Sequence, residues 1–162
     1  MAEMIHTKCY DNALFVSEIV KLLDEGKTEV IFTINGRSMR PFIEHKRDSV
    51  VLSKANNIKE GDVVLAKSIE KGFVVHRLVK IDRKSKVCVL RGDGNLDMEH
   101  CYENDVLAKA VAFVRKKKRQ RVGVDSFQWK AYSWLWTHLL PVRRYLLALH
   151  RRLIIVNKKI KP

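Results

Sequence analysis

No run of about twenty consecutive apolar residues occurs anywhere in this 162-residue chain, so the sequence offers no helix that would cross a bilayer. No secretory leader is expected from the first residues either: residues 1–10 are largely polar, and the apolar stretch 13–23 is broken by Ser17, Glu18 and Lys21. Cysteine is scarce, with three at positions 9, 88 and 101. An odd count without a Cys-x-x-Cys pair gives neither a disulfide framework nor a standard zinc spacing. His100-Cys101 with Cys88 fits no metal-binding pattern, so the thiols are expected in the core or on the surface, and no metal or cofactor is expected. Free thiols suit a reducing compartment, here the cytoplasm. Acidic residues all but vanish from the last part of the chain. Residues 1–114 hold 18 Lys/Arg and 17 Asp/Glu, whereas residues 115–162 hold 14 Lys/Arg and one acid, Asp125. The net charge of +14 therefore belongs almost wholly to the tail. A basic tail on a neutral body points to an anionic partner: lipid headgroups, nucleic acid or an acidic protein.

What is present reads as one domain with an appended element. An apolar fraction of 46% is ordinary for a chain that buries a core. Residues 11–25 carry a helical pattern, with Leu14, Phe15, Ile19, Leu22 and Leu23 on one face, Asp11 or Asn12 as cap and Gly26 as stop. A single helix cannot make a helix-turn-helix, so this segment is expected to pack on the body. Strands are predicted over 28–34, 49–53, 62–68, 73–81, 87–91 and 105–115, with 62–68 and 73–81 paired across the Glu70-Lys71-Gly72 turn. Short strands with polar turns argue a mainly β, antiparallel, partly closed barrel. Residues 115–121 read as a basic linker. Beyond it come Phe127, Trp129, Tyr132, Trp134, Leu135, Trp136 and Leu139. After Pro141 a second helical stretch sets Val142, Tyr145, Leu146, Leu149, Leu153 and Val156 against Arg143, Arg144, Arg151 and Arg152. The organisation expected is an N-terminal helix (1–26), a β domain (27–115) and a basic amphipathic helical tail (116–162).

Three short segments carry the chemistry. Asn35-Gly36-Arg37-Ser38-Met39-Arg40-Pro41 places a lone serine after a strand. A serine hydroxyl is a weak nucleophile until a neighbouring base takes its proton. Val74-Val75-His76-Arg77-Leu78 places an imidazole in an apolar strand, and such a position lowers a histidine's pKa and keeps it basic. Arg91-Gly92-Asp93-Gly94-Asn95 brings a carboxylate on a glycine-flanked turn. Asp93 could orient the imidazole, as in a Ser-His-Asp triad. Each segment alone has a plain structural reading: a strand exit, a structural histidine and a hairpin turn.

Together the segments resemble the superfamily of signal peptidase I and the self-cleaving SOS and phage repressors, from about residue 31 to 114. Ser38-Met39-Arg40-Pro41 resembles the nucleophile box, Gly61-Asp62-Val63-Val64 the intervening strand, Val75-His76-Arg77-Leu78 the base box, and Gly92-Asp93-Gly94-Asn95 the later Gly-Asp-x-Asn box. Histidine followed by arginine at the base box is similar to the endoplasmic-reticulum and archaeal-type signal peptidases, where bacterial enzymes and repressors have lysine. The resemblance implies a coiled, mostly β peptidase fold and a serine endopeptidase with Ser38 as nucleophile, His76 as base and Asp93 as third member, with Asp97 as its rival. Glu99 lies in the same range. Signal peptidases have a serine two residues before the nucleophile. Gly36 stands there, as in the repressors, which implies a backbone oxyanion hole led by the Ser38 amide. The expected partners are a peptide or protein substrate, reading an exposed sheet edge, and an anionic membrane surface under the tail. A nucleic-acid- or protein-binding module without catalysis and a self-processing regulator are the alternatives.

Overall fold

In a computed structural model the described residues are 3–5, 12–116 and 120–138, with Tyr145, Leu147, Ala148 and Arg152. They form a mainly β architecture: a curled, largely antiparallel sheet with a helix before and a helix after. The strands are β1 (Glu3–Ile5), β2 (Val30–Thr33), β3 (Ser49–Lys54), β4 (Val63–Ser68), β5 (Gly72–Asp82), β6 (Val87–Arg91), β7 (Glu99–Tyr102), β8 (Val106–Arg115) and β9 (Gln120–Gly123). Helix α1 covers Asn12–Asp24 and α2 covers Phe127–His138. The sheet order is β1-β2-β3-β8-β4-β5-β6-β7, with β9 pairing on β8. All pairs are antiparallel except β1 with β2.

The sheet divides two cores, and the period-2 alternation of side chains does the dividing. On β4, Val63 and Leu65 join the larger core, while Val64 and Ala66 join the smaller one. The larger core takes Val16, Ile19 and Leu23 from α1, Phe32 from β2, Phe113 from β8 and Trp129 from α2. The smaller core is lined by Leu78, Cys88, Leu90 and Cys101 inside the curl of β4 to β7. A hydrogen bond from Ile69 N–H to His100 O, 2.9 Å, brings the end of β4 back to β7 and closes that curl. The extra residue Val79, a bulge between Leu78 and Lys80, helps the strand bend.

Six predicted strands are present with ends shifted by up to two residues. Strands β1, β7 and β9 were not predicted. Residues 120 and 121, read as part of a basic linker, begin β9, because Gln120 and Arg121 pair with Arg115 and Val114. On α1 the inward residues are Val16, Ile19 and Leu23, while Leu14 is exposed. Helix α2 is capped by Ser126, the residue before it, whose Oγ accepts the Trp129 N–H at 3.3 Å. It packs by Trp129 and Trp136, both buried. Most of the second helical stretch expected after Pro141 lies outside the described residues. Among the described residues no helix is long and apolar enough to cross a membrane.

Candidate active site

The loop after β2 is pinned at both ends before it presents Ser38. Met39, Phe42 and Ile43 are buried in the larger core, and they anchor the turn that carries the serine. The buried Asp48 carboxylate accepts the Glu44 N–H at 3.0 Å, the Lys116 N–H at 3.2 Å and the Arg47 guanidinium at 2.7 and 2.9 Å. Ser38 itself is half-buried, and Arg37 beside it is exposed. Among the described residues the Ser38 N–H donates to no backbone carbonyl, which leaves it available to an incoming oxyanion.

The glycine loop after β6 lies directly on this turn. Gly94 N–H donates to Ser38 O at 2.5 Å, and Asn95 N–H closes the loop on Gly92 O at 3.0 Å. A Cβ on Gly94 would stand 2.8 Å from Arg37 O and 3.2 Å from Ser38 O. One on Gly92 would stand 2.7 Å from Ser38 O and 3.0 Å from His76 Nε2. Contacts under 3.0 Å to backbone are not tolerated, so glycine at 92 and 94 is a condition of this approach. The bare face of Gly92 is thus the place where the serine turn and the imidazole meet. Three of the boxes singled out in the sequence converge here. No hydrogen bond joins Ser38 Oγ to His76 among the described residues; such bonds are often long in a site without substrate.

His76 sits on β5, buried, facing the smaller core. Its Nδ1 is 2.9 Å from Glu99 Oε2 on β7. Glu99 is equally buried, and its other oxygen accepts Lys71 Nζ at 2.6 Å. A carboxylate on Nδ1 holds the tautomer with the proton there, and Nε2 is left as the basic atom. Burial lowers the His76 pKa below its ordinary value, opposed by the Glu99 charge and reinforced by the Lys71 cation. The turn between β4 and β5 holds Glu99 in place. His100 N–H and ring Nδ1 meet the Glu70 carboxylate at 2.9 and 2.7 Å, which keeps that carboxyl down at about 2. The Glu99 hydrogen bond raises the Lys71 pKa.

Asp93, expected beside His76, is engaged elsewhere. Arg77 Nε and Nη2 donate to its two oxygens at 2.9 and 2.8 Å, and both side chains are buried. Tyr132 Oη donates to Asp93 Oδ2 at 2.9 Å, and the Trp136 indole N–H donates to Asp93 O at 3.0 Å. Strand alternation is the physical reason: His76 faces the smaller core, so Arg77 must face the larger one, and Asp93 follows Arg77. Burial works against the Arg77 charge, but the Asp93 carboxylate outweighs it and raises the pKa. Asp97 is exposed and near Lys71, not His76. The carboxylate that reaches the imidazole is Glu99. Along β7 the residues Glu99, His100, Cys101 and Tyr102 are buried and exposed by turns, which points Glu99 inward with Cys101; as residue types Glu-His-Cys-Tyr show no apolar alternation that would mark a strand in the sequence. Among the described residues no cluster of His, Cys, Asp and Glu could hold a metal ion.

Over residues 6–118 the sequence matches the model of the Peptidase S24-like family. The chain belongs to that family. The matched segment holds Ser38, His76, Asp93 and Glu99 and ends before α2. No curated protein and no solved structure matches the chain significantly. Membership in a Peptidase S24-like family agrees with the curled β fold and with peptidase chemistry at a coarse level. It does not single out the histidine-type signal peptidases within the superfamily.

Proposed function

We propose that the protein is a serine endopeptidase that uses Ser38, His76 and Glu99. The observation that carries this reading is the buried His76 ring, with Nδ1 on Glu99 and Nε2 turned to the Gly92 gap beside the Ser38 turn. His76 Nε2 takes the Ser38 hydroxyl proton as Oγ attacks the scissile carbonyl. The Ser38 amide faces the oxyanion that forms. The imidazolium, stabilised by Glu99, passes the proton to the leaving amine, and an acyl-serine remains. Water, deprotonated by the same nitrogen, releases the acid and restores Ser38. The test is labelling of the intact chain with a fluorophosphonate, followed by mass mapping. Adduct at Ser38, lost in Ser38→Ala and His76→Ala, is expected. An unlabelled wild-type protein would favour a binding module on the same fold.

A finer placement, at a membrane surface, has its own support. The outward face of α2 exposes Phe127 (86%), Trp134 (62%) and Leu135 (48%), and Tyr145 beyond it is exposed too. Aromatic rings favour the headgroup region, and the basic residues of 115–162 favour anionic lipid. On this reading the enzyme works on substrates brought to the cytoplasmic face. Phe127→Ser with Trp134→Ser should release the full-length chain from anionic vesicles in co-sedimentation. Undiminished binding would remove α2 from the interface.

A further inference from the structure

We propose that α2, which lies beyond the matched family segment, is a positioning element for the nucleophile, acting through Tyr132, Trp136 and the 92–95 loop. The proposal rests on the reading of Ser38 as nucleophile. It is built from three successive contacts. First, α2 grips Asp93 twice, by Tyr132 Oη on the carboxylate at 2.9 Å and by the Trp136 N–H on the main-chain carbonyl at 3.0 Å. Ser133 on the same helix accepts Arg77 Nη1 at 2.5 Å, and the Arg77 cation lies 5.1 Å above the Trp129 ring. Second, the residue after Asp93 donates its N–H to Ser38 O. Third, Gly92 and Gly94 lie so close to the Arg37, Ser38 and Arg40 carbonyls that the loop has no room to slide. A shift of the Asp93 backbone is therefore a shift of the Ser38 carbonyl.

Packing and hydrogen bonds share the grip: Trp129 seats α2 in the larger core, and the Tyr132 and Trp136 hydrogen bonds tie it to Asp93. A cavity of about 570 Å³ lies between part of α2 and the 59–62 turn, so the helix is not wedged from that side. The base side of the site is held by other means. Glu99 is fixed by Lys71, and the β7 start by Glu70, both from the turn between β4 and β5. Helix α2 thus addresses the nucleophile, whereas that turn addresses the base.

The test uses the full chain and the rate of fluorophosphonate addition at Ser38 across pH, in wild type, Tyr132→Phe and Trp136→Phe. Tyr132→Phe removes one hydroxyl and keeps the ring that stacks on Trp136, 5.8 Å between centroids. The expected result is a plateau rate lowered about ten- to a hundred-fold, since misplacement of reacting groups by about 1 Å costs that much. The pH midpoint should stay where it is, because the His76–Glu99 bond is untouched. In an Asp93→Asn background Tyr132→Phe should add nothing, as for two residues acting through one. An unchanged plateau, a moved midpoint or a full additive loss would each overturn the proposal. Where Asp93→Asn fails to fold, the plateau and midpoint of the single variants decide. Absence of any Ser38 adduct in wild type would instead sink the peptidase reading. Amide hydrogen exchange at Gly94 tests the mechanical link separately, from α2 through Asp93 to the Ser38 turn: Tyr132→Phe should accelerate it, and unchanged exchange would overturn the positioning by α2 whatever the chemistry at Ser38.

Discussion

His76 and Arg77 are neighbours in the chain with opposite assignments, one facing Glu99 and the other Asp93. This separation makes the two carboxylates distinguishable by experiment. Glu99→Gln would leave the imidazole without its orienting charge and should lower turnover by up to about ten-thousand-fold, as for a triad carboxylate. Its melting temperature should change little by comparison. Asp93→Asn would strand the buried Arg77 cation, and losing one member of such a pair costs about 3–5 kcal/mol. Urea unfolding of the two variants separates a kinetic phenotype from a stability phenotype. Asp97→Asn, on an exposed residue, should be silent in both assays. The pH dependence follows from the same ring. Catalysis needs neutral His76, whose pKa lies below its ordinary 6.5, so the rate should rise to a plateau with a midpoint below 6.5. Lys71 pushes that pKa down, and Lys71→Met should therefore move the midpoint to higher pH. A midpoint well above neutrality in wild type would remove His76 as the base.

At the scale of elements, one polar side chain ties the end of the loop 34–48 to its neighbours, alongside the apolar anchors Met39, Phe42 and Ile43. Asp48 binds two backbone amides and Arg47 at once. Burial alone would raise its pKa; the Arg47 hydrogen bonds and the Glu44 amide reverse that, and the carboxyl sits below its ordinary 3.8. Its contribution is therefore present above about pH 4 and fades as pH falls through the lowered value. Asp48→Ala should cost about 1–3 kcal/mol for the donors left unpaired, measured by urea unfolding at pH 7, with the gap to wild type shrinking in acid. Much of this framework was legible beforehand. β-branched runs bounded by polar turns marked six strands, and the boxes at 38, 76 and 92–95 come to one place. The third carboxylate was not legible, because β7 is only four residues long and lies two strands from β5 in the sheet order. Glu99 reaches His76 only because the sheet curls, and curl is a property of closure, with no local signature. Strand β9 was hidden for another reason: Gln120 and Arg121 continue a basic run that resembles solvated linker, while Val122 supplies its one buried apolar side chain.

At the scale of the molecule, charge is segregated, with a net +13 in 115–162 against +1 in the rest. Attraction of such a tail to anionic vesicles should weaken between low salt and about 0.5 M salt, as the screening length shrinks below about 5 Å. Binding that survives high salt would assign the larger share to the exposed rings of α2. The wall between the two cores has a different consequence. Strand β4 gives Val63 and Leu65 to one compartment and Val64 and Ala66 to the other, so neither can empty while the other stays full. Loss of structure should then be all-or-none, despite two separate interiors. The molecule carries a reporter for each. Trp129 is buried in the larger core, and Cys88 with Cys101 lies in the smaller one, where burial pushes the Cys101 thiol up to about 12 and keeps it unreactive. In a Cys9→Ser, Trp134→Phe, Trp136→Phe background, Trp129 emission and thiol reactivity followed through urea should trace one curve with one midpoint. Two midpoints would mean that β4 can let go of one side at a time, and that a proton-transfer chamber can melt while its scaffold stands.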